Sequence, residues 1–550
     1  MNLSFRGIWV CLVVTLLGAL WLGEVRTSAE AGNEPAYDIV IRNGRIVDGG
    51  GNAWFWGDVG IRGGRIVRIG RLEEATAQRI IDAAGRVVAP GFVDVHMHVE
   101  GGIEERPAAD NLVADGVTSI VTGNCGGSEV KLGEWFGQLK QTGLGVNLAS
   151  LIGHNAVRRH VMGTENRAPT AEELARMEAL VAQAMEEGAV GLSTGLIYVP
   201  GTYAETDEIV ALARVAARYG GLYATHMRNE GDKVIAAVEE AIRIGREARL
   251  PVEISHMKVT NKLFWGASAQ MLEQVEQARA QGLDVTMDQY PYTASSTRLD
   301  ILLPSWALAG GREELRRRLA DPSERRQIAD EMFAELRKVQ GYKHLDYAVV
   351  ARASWDSSRD GKNIRQINRE WKRKDNLKQE IQTVLDLMDK GGAQMIYHRM
   401  DEKDVVRILG HPLTMLGRDG GVPAFGTGKP HPRSYGASAR ILGRYVREKK
   451  VVRLEEAIRK MTALPAQRFG FADRGLLRAG FWADIVMFDP EKVADAATYE
   501  NPHQYSRGFD YVLVNGEVVV EEGQRTVARP GQILYGAGLR SPAQPSGQVE

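Results

Sequence analysis

The sequence predicts an α/β protein: a (β/α)8, TIM-like barrel with a small β-sandwich built from both termini and an inserted subdomain before the last barrel strand. Three observations carry this prediction. β-rich runs with Asn-Gly or Gly-Gly turns stand at both ends of the chain; the middle alternates strand-like and helix-like segments; and a long charged stretch separates the last two strand-like segments. A doubly wound open sheet is the architectural alternative.

The terminal runs are the first element. Residues 38–49 read DIVIRNGRIVDG and residues 510–523 read DYVLVNGEVVVEEG. Each places Asn-Gly between two β-rich halves, the strongest short-range hairpin signal. A further hairpin is predicted from Asp58–Ile61, Gly63-Gly64 and Ile66–Ile69. Similar hairpin sets at opposite ends put residues 37–91 and 475–535 in one β-sandwich and leave residues 92–474 as a barrel domain between them.

In that domain the candidate strands are Phe92–His98, Ser119–Cys125, Val146–His154, Val190–Leu196, Gly221–His226, Pro251–His256, Asp284–Gln289 and Pro412–Asp419. Amphipathic helix patterns lie between them. One is Ala171–Glu187, preceded by a capping box of Thr170 and Glu173, and another is Lys233–Arg249. The charged, helix-prone stretch of about residues 311–390 is predicted to be the inserted subdomain or a lid, its Arg316-Arg317-Arg318 run a solvated helical face. Residues 541–550, rich in Pro, Gln, Gly and Ser, are predicted to be a disordered tail.

The N-terminus carries an address. Arg6 precedes an apolar run from Ile8 to Leu22, and small residues follow around Ser28–Gly32. This predicts a signal peptide over residues 1–32 and an exported protein, periplasmic or secreted. The run falls short of the roughly 20 residues a membrane span needs, so no stable membrane partner is expected after its removal; an uncleaved anchor is the alternative. Of the two cysteines, Cys11 lies inside the signal, which leaves Cys125 without an intrachain partner in an oxidising compartment. Metal ligation or burial as a small apolar residue would each account for it. With 69 Lys+Arg against 70 Asp+Glu the formal net charge is -1, which gives no global attraction to nucleic acid and suits an enzyme of small molecules. No feature of the sequence fixes an oligomeric state.

The residues that carry chemistry recur at predicted strand ends. His96 and His98 are spaced so that, on a strand, both imidazoles face one side. Asn124-Cys125-Gly126 closes the second strand, His226 the fifth and His256 the sixth; Asp288 lies in the seventh and Asp419 ends the eighth. A parallel barrel gathers such ends on one face. Two imidazoles and a thiolate are good zinc ligands, with a fourth position open to water. Taken singly, each is more commonly a hydrogen-bonded core histidine or a buried cysteine. A zinc ion so placed would lower the pKa of its bound water and polarise a carbonyl; one carboxylate could then serve as base and acid in turn, and Asp419, in GRDGG, is the candidate. Lys258, Arg433, Tyr290 and Tyr292 are candidates for holding a substrate carboxylate.

These stretches make a family resemblance visible. APGFVDVHMH, TGNCG, EGAVGLSTGLIYVPGTYA, YATHMRNE, ISHMK, MDQYPYTASSTRLDILLPSW, HPRSYG, KMTALPAQRFGFADRGLLRAG and ADIVMFDP, spread from about residue 37 to 535, resemble the D-aminoacylases (N-acyl-D-amino-acid deacylases) of the metal-dependent amidohydrolase superfamily. The resemblance implies a tight zinc held by Cys125, His226 and His256, and a second, weak metal position near His96, His98 and Asp419. It implies Asp419 as catalytic acid/base, Lys258, Tyr290 and Arg433 on the substrate carboxylate, and Tyr198 at the pocket. The implied partner is a small N-acyl-D-amino acid.

Two positions depart from the family pattern. Glu100 stands where His-x-His-x-Asp ends, and Arg418 precedes Asp419 where the family usually has Ser. An inward-pointing Arg418 would depress the pKa of the acid or bind an acidic substrate group. Competing activities are a dihydroorotase-like or isoaspartyl-dipeptidase-like hydrolysis of cyclic amides or dipeptides, or a non-catalytic binding protein. The first commonly needs a carboxylated lysine, and VGLSTGL at the fourth strand has none.

Overall fold

A computed structural model describes residues 36–539, so the predicted signal at 1–32 and tail at 541–550 lie outside the described residues. The central region is built on parallel strands: β1 (Phe92–Asp94), β2 (Val117–Thr122), β3 (Asn147–Ser150), β4 (Gly191–Gly195), β5 (Leu222–His226), β6 (Val252–Ile254), β7 (Val285–Gln289) and β8 (Thr414–Leu416). β1, β2 and β3 pair in parallel. The chain continues through Ile152–Gly153 into parallel pairing with β4, and β4 to β8 follow in turn. Beyond β8, the Val95 N–H donates to Leu416 O at 3.3 Å and Met97 bridges Gly420 in parallel, so the last segment meets the first. Strand order follows chain order without the reversal that a doubly wound sheet requires.

Helices fill the connections, among them Ala171–Glu186 and Val234–Ala248. The first begins at Thr170, whose side chain accepts from the Glu173 N–H while Glu173 answers the Thr170 N–H, the reciprocal cap predicted. Most strand residues are buried on both faces, as parallel strands covered by helices must be, and apolar side chains from strands and helices merge into one extended core.

Both ends of the chain contribute to a single hydrogen-bonded sheet. Val87–Pro90 joins Tyr37–Ile46 in parallel and Ile485–Phe488 antiparallel, and Phe509–Val514 and Glu517–Glu521 extend it outward. Asn515-Gly516 and Gly63-Gly64 form two-residue turns with φ near 50 and 84°, and 58 and 74°. Asn43-Gly44 is different. It is no hairpin turn: Tyr37–Ile46 is one continuous strand, with a bulge between Ile41 and Gly44. Its two edges are occupied by Phe55–Arg62 on one side and by Ala77–Asp82 and Val87–Pro90 on the other, so the chain runs straight on. The Asn43 N–H displaced from the ladder donates to Asp58 Oδ1 at 2.9 Å.

Between β7 and β8 the chain builds a three-stranded antiparallel sheet from Ser295–Arg298, Ala348–Arg352 and Gln394–Tyr397. Ser295 lies opposite Tyr397, so entry and exit pair with each other. Helices Gly311–Ala320, Pro322–Ala334 and Leu377–Lys390 cover an apolar cluster of its own, including Leu299, Ile328, Val384 and Tyr397. This unit is wider than the 311–390 expected, because its sheet lies outside the charged helices.

Candidate active site

Apart from His226, the last residue of β5, the metal-type donors lie just past the strands rather than within them. β1 ends at Asp94, so His96 and His98 are held by the bridge to Gly420, by His98 N–H donating to Gly420 O and by Asp419 N–H donating to His96 O, both at 2.8 Å. Cys125 follows Asn124, whose amide donates to Val95 O and Val121 O and fastens the end of β2 to that of β1. Cys125, His256 and Asp419 all take left-handed backbone conformations, with φ of 52, 35 and 52°. For non-glycine residues that is strained geometry, of a kind that clusters at functional sites. The backbones also crowd there: a Cβ on Gly195 would stand 2.1 Å from Cys125 O, and one on Gly417 2.0 Å from Asp288 Oδ1.

The structure brings the sequence-predicted donors together. Cys125 Sγ is 3.6 Å from His226 Nδ1, 3.4 Å from His256 Nε2 and 3.3 Å from His96 Nε2. Asp419 Oδ1 is 3.1 Å from His98 Nε2 and 3.8 Å from His96 Nε2. Ligand atoms lie within 4.8 Å of one another in three overlapping groups: Cys125 with His226 and His256, His96 with His98 and Cys125, and His96 with His256 and Asp419. Asp288 supports the cluster from behind, accepting from the His256 N–H at 2.9 Å and facing His96 Nδ1 at 3.4 Å.

Electrostatics favour a cation at this place. Burial holds His226 well below the usual imidazole range, lowers His256 with help from Lys258, and pushes His96 down to about 3, so these rings keep free lone pairs at neutral pH. Burial, reinforced by Asp419, pushes the Cys125 thiol up. A protonated thiol among neutral imidazoles becomes a ligand when a cation compensates the lost proton. For Asp419, burial raises the carboxyl, but Arg433, His256 and His98 outweigh it and hold the group well below the carboxylate range. The donor set therefore fits a zinc-type ion.

A cavity of about 450 Å³ opens above the cluster, lined by His98, Cys125, Tyr198, Asp419, His431 and Arg433 among others. Arg433 Nη2 lies 2.9 Å from Asp419 Oδ2, and its guanidinium covers the Tyr290 ring at 4.4 Å. Arg433 Nη1 is buried without a hydrogen-bond partner among the described residues. Tyr290 is buried beneath it. Tyr198 stacks edge-on to His226 with ring centres 4.8 Å apart. Lys258 borders a small recess with His226 and Asp419; its ammonium donates to Glu230 Oε1 at 2.5 Å and to His256 O at 2.8 Å. Tyr292 lies away from the cavity, beneath Arg440.

Arg418 does not point at the site. Its side chain is wholly buried on the far side, with Nε 2.6 Å from Asp94 Oδ2 and Nη2 3.0 Å from Asp115 Oδ2. Two carboxylates fixed inside the fold outcompete Asp419 for this guanidinium, which excludes the inward role considered above. Glu100 accepts from Thr122 Oγ1 and the Gly123 N–H, and its charge and that of His98 act on each other. Glu230 is a residue the sequence reasoning missed. Its Oε1 faces the outer nitrogens of both ligand-type rings, 3.6 Å from His226 Nε2 and 3.3 Å from His256 Nδ1. Its four-residue spacing from His226 was the available signal.

The amidohydrolase family model matches residues 79–299 and 376–520. The chain is 39% identical over 519 residues to an N-acyl-D-glutamate deacylase of Alcaligenes xylosoxydans xylosoxydans, covering 90% of this chain and 96% of that one. It is 37% identical over 521 residues to a D-aminoacylase of the same organism, covering 90% and 97%. It superposes with a TM-score of 0.78 and 36% identity on the crystal structure of N-acyl-D-glutamate deacylase from Bordetella bronchiseptica, complexed with zinc and a phosphonate mimic of the tetrahedral intermediate, over 91% of this chain and 99% of that one. The chain therefore belongs to the amidohydrolase family and, within it, to the D-aminoacylase group of metal-dependent enzymes that hydrolyse amide C–N bonds other than peptide bonds.

Proposed function

We propose that this enzyme hydrolyses N-acyl-D-amino acids to a carboxylate and a free D-amino acid, using one tight zinc at Cys125, His226 and His256 and a weaker second metal position beside His96, His98 and Asp419. The observation that carries this reading is the convergence of Cys125, His226 and His256 on one point with Asp419 beside them. Zinc bound there would supply Lewis acidity, bringing the pKa of a water to near 7 and polarising a carbonyl. Asp419, kept ionised by Arg433, takes the proton of the attacking water and returns it to the leaving amide nitrogen. The unpartnered Nη1 of Arg433 is suited to the substrate carboxylate, with Tyr290 supporting the guanidinium from below and Tyr198 forming the adjacent wall. Lys258, at the recess edge, joins the carboxylate-binding set where a substrate reaches it. The N-acyl-D-amino acid substrates in the relatives' names and the zinc in the Bordetella complex support the same reading.

The architectural reading follows the same lines. The ring of β1 to β8 is taken as a closed barrel over residues 92–474, and the terminal sheet as a small sandwich of residues 37–91 and 475–535. Hydrolysis of cyclic amides or dipeptides is the second reading. It is disfavoured by β4, which carries no lysine. Matched N-acetyl-D- and L-amino acids, assayed with metal analysis of the same sample, test the proposal. Turnover confined to the D series with bound zinc is expected; cleavage of hydantoins or dihydropyrimidines with none of the D panel touched would overturn it.

A further inference from the structure

β3 and β4 contribute no donor to the cluster around Cys125; among the described residues its donors come from β1, β2, β5, β6 and β8. What these two strands supply is a cradle for the loop of residues 124–127 that carries the thiol. The Gly126 N–H donates to Ser193 Oγ on β4 at 3.0 Å, and the Ala156 N–H, from the helix after β3, donates to Gly126 O at 2.9 Å. The approach leaves no room for side chains. A Cβ on Gly153 would stand 2.3 Å from Gly126 O, and one on Gly126 would stand 2.2 Å from Asn155 Oδ1.

Asn155 closes the cradle. It is the second residue of helix His154–Met162 and is buried. Its Oδ1 accepts from the Gly195 N–H at 3.2 Å, and its Nδ2 donates to Gly195 O at 3.0 Å and to Tyr198 O at 3.3 Å. One amide thus clasps both backbone groups of the glycine against which Cys125 O rests, together with the turn that brings the Tyr198 ring to His226. The helix end is fixed from behind. His154 Nε2 lies 2.8 Å from Glu208 Oε1, Arg158 Nη1 donates to Glu208 Oε2 at 2.7 Å, and His154 Nδ1 faces Asn155 Oδ1 at 3.3 Å. Cys125 holds a left-handed backbone, φ 52°, which a residue with a side chain keeps only where its surroundings dictate it. A metal site tolerates ligand displacements of only about 0.2 Å, so whatever fixes this backbone governs the thiolate.

Resting on the zinc reading above, we propose that Asn155 is a positioning residue: its amide locks the Cys125 loop against the end of β4, and so sets the thiolate in the tight metal site with Tyr198 beside it.

The test reads the metal as well as turnover. Asn155→Ala removes the amide; Asn155→Ser, the milder excision, carries the same measurements where Ala impairs folding. In the full chain, zinc affinity of the tight site, measured by competition with a chelator, is expected to fall about 10–100-fold in Asn155→Ala and by a smaller factor in Asn155→Ser. With cobalt in place of zinc, the parent is expected to show a thiolate-to-metal charge-transfer band, and both variants should weaken or shift it. A folded variant with lowered unfolding stability but parental affinity and a parental band overturns the proposal and makes Asn155 a packing residue. A parent without that band overturns the Cys125 ligation on which the proposal rests. A parent that shows the band and cleaves no N-acyl-D-amino acid overturns deacylation and leaves the positioning role standing.

Discussion

Arg433 holds one oxygen of the Asp419 carboxylate, Nη2 to Oδ2 at 2.9 Å, while the other oxygen faces His98 Nε2 at 3.1 Å. The carboxylate is thus ionised, fixed in orientation and adjacent to the donor cluster, which is what a base and subsequent acid requires. Asp419→Asn keeps the shape and removes the proton acceptor. A fall in kcat of about 10²–10⁴-fold is expected, with zinc at Cys125, His226 and His256 retained on metal analysis. Turnover within a few-fold of the parent would remove Asp419 from the chemistry.

Because burial keeps the Cys125 thiol protonated in the absence of a cation, zinc binding should expel its proton. Titrating zinc into metal-free protein in weak buffer at pH 7 is expected to release about one proton per tight site, and Cys125→Ala should abolish that release together with most of the bound zinc and the turnover. Unchanged zinc content in Cys125→Ala would refute thiolate ligation.

Glu230 stands behind both ligand-type rings and also holds the buried Lys258. Carboxylates in that position orient imidazoles and raise their basicity. Glu230→Gln is expected to weaken zinc affinity or activity by about 10–100-fold, read by competition with a chelator. Affinity equal to the parent would reduce Glu230 to a partner of Lys258 alone.

Arg418 with Asp94 and Asp115 makes a fully buried charge triad tying the end of β8 to β1. Removing one member strands the others. Arg418→Met should cost about 3–5 kcal/mol in denaturant unfolding, with substrate preference carried by the folded fraction as in the parent. Undiminished stability with altered substrate preference would return Arg418 to the site.

Lys460 is buried with its ammonium donating to Leu409 O and His411 O. Burial brings its pKa down to about 7, Glu456 opposing and Arg459 assisting. The unfolded chain keeps that proton up to about pH 10. Between the two values the unfolded state binds more protons than the folded one, so stability rises with pH from about 7 to about 10, by at most roughly 1.4 kcal/mol per unit from this group. The stability difference between parent and Lys460→Met should grow across that window and stay level below it. A difference independent of pH would show that Lys460 titrates normally.

The donor set was legible because a βα repeat sets its ligands at regular places: His226 and His256 each follow an apolar strand by the same logic, and Cys125 stood without a disulfide partner. What escaped depends on distant neighbours. Asn43-Gly44 has the composition of a turn, and only the strands occupying both edges make it a bulge. Arg418 was read from its adjacent Asp419, whereas its direction is set by Asp94 and Asp115, some 300 residues earlier in the chain. Arg159 and Arg298 carry no periodic signal; a helix and an inserted strand far apart in the chain bring both into the lining of the cavity.

The pairing of Ala89 with Val486 has a consequence for how the molecule is made. Almost 400 residues separate these partners, and a ribosome adding 5–20 residues per second needs roughly 20–80 s to travel from one to the other. During that interval Val87–Pro90 presents an open edge, the kind of surface that recruits other nascent strands. A chaperone that shields the edge until Ile485–Phe488 emerges is expected to raise the yield of folded protein.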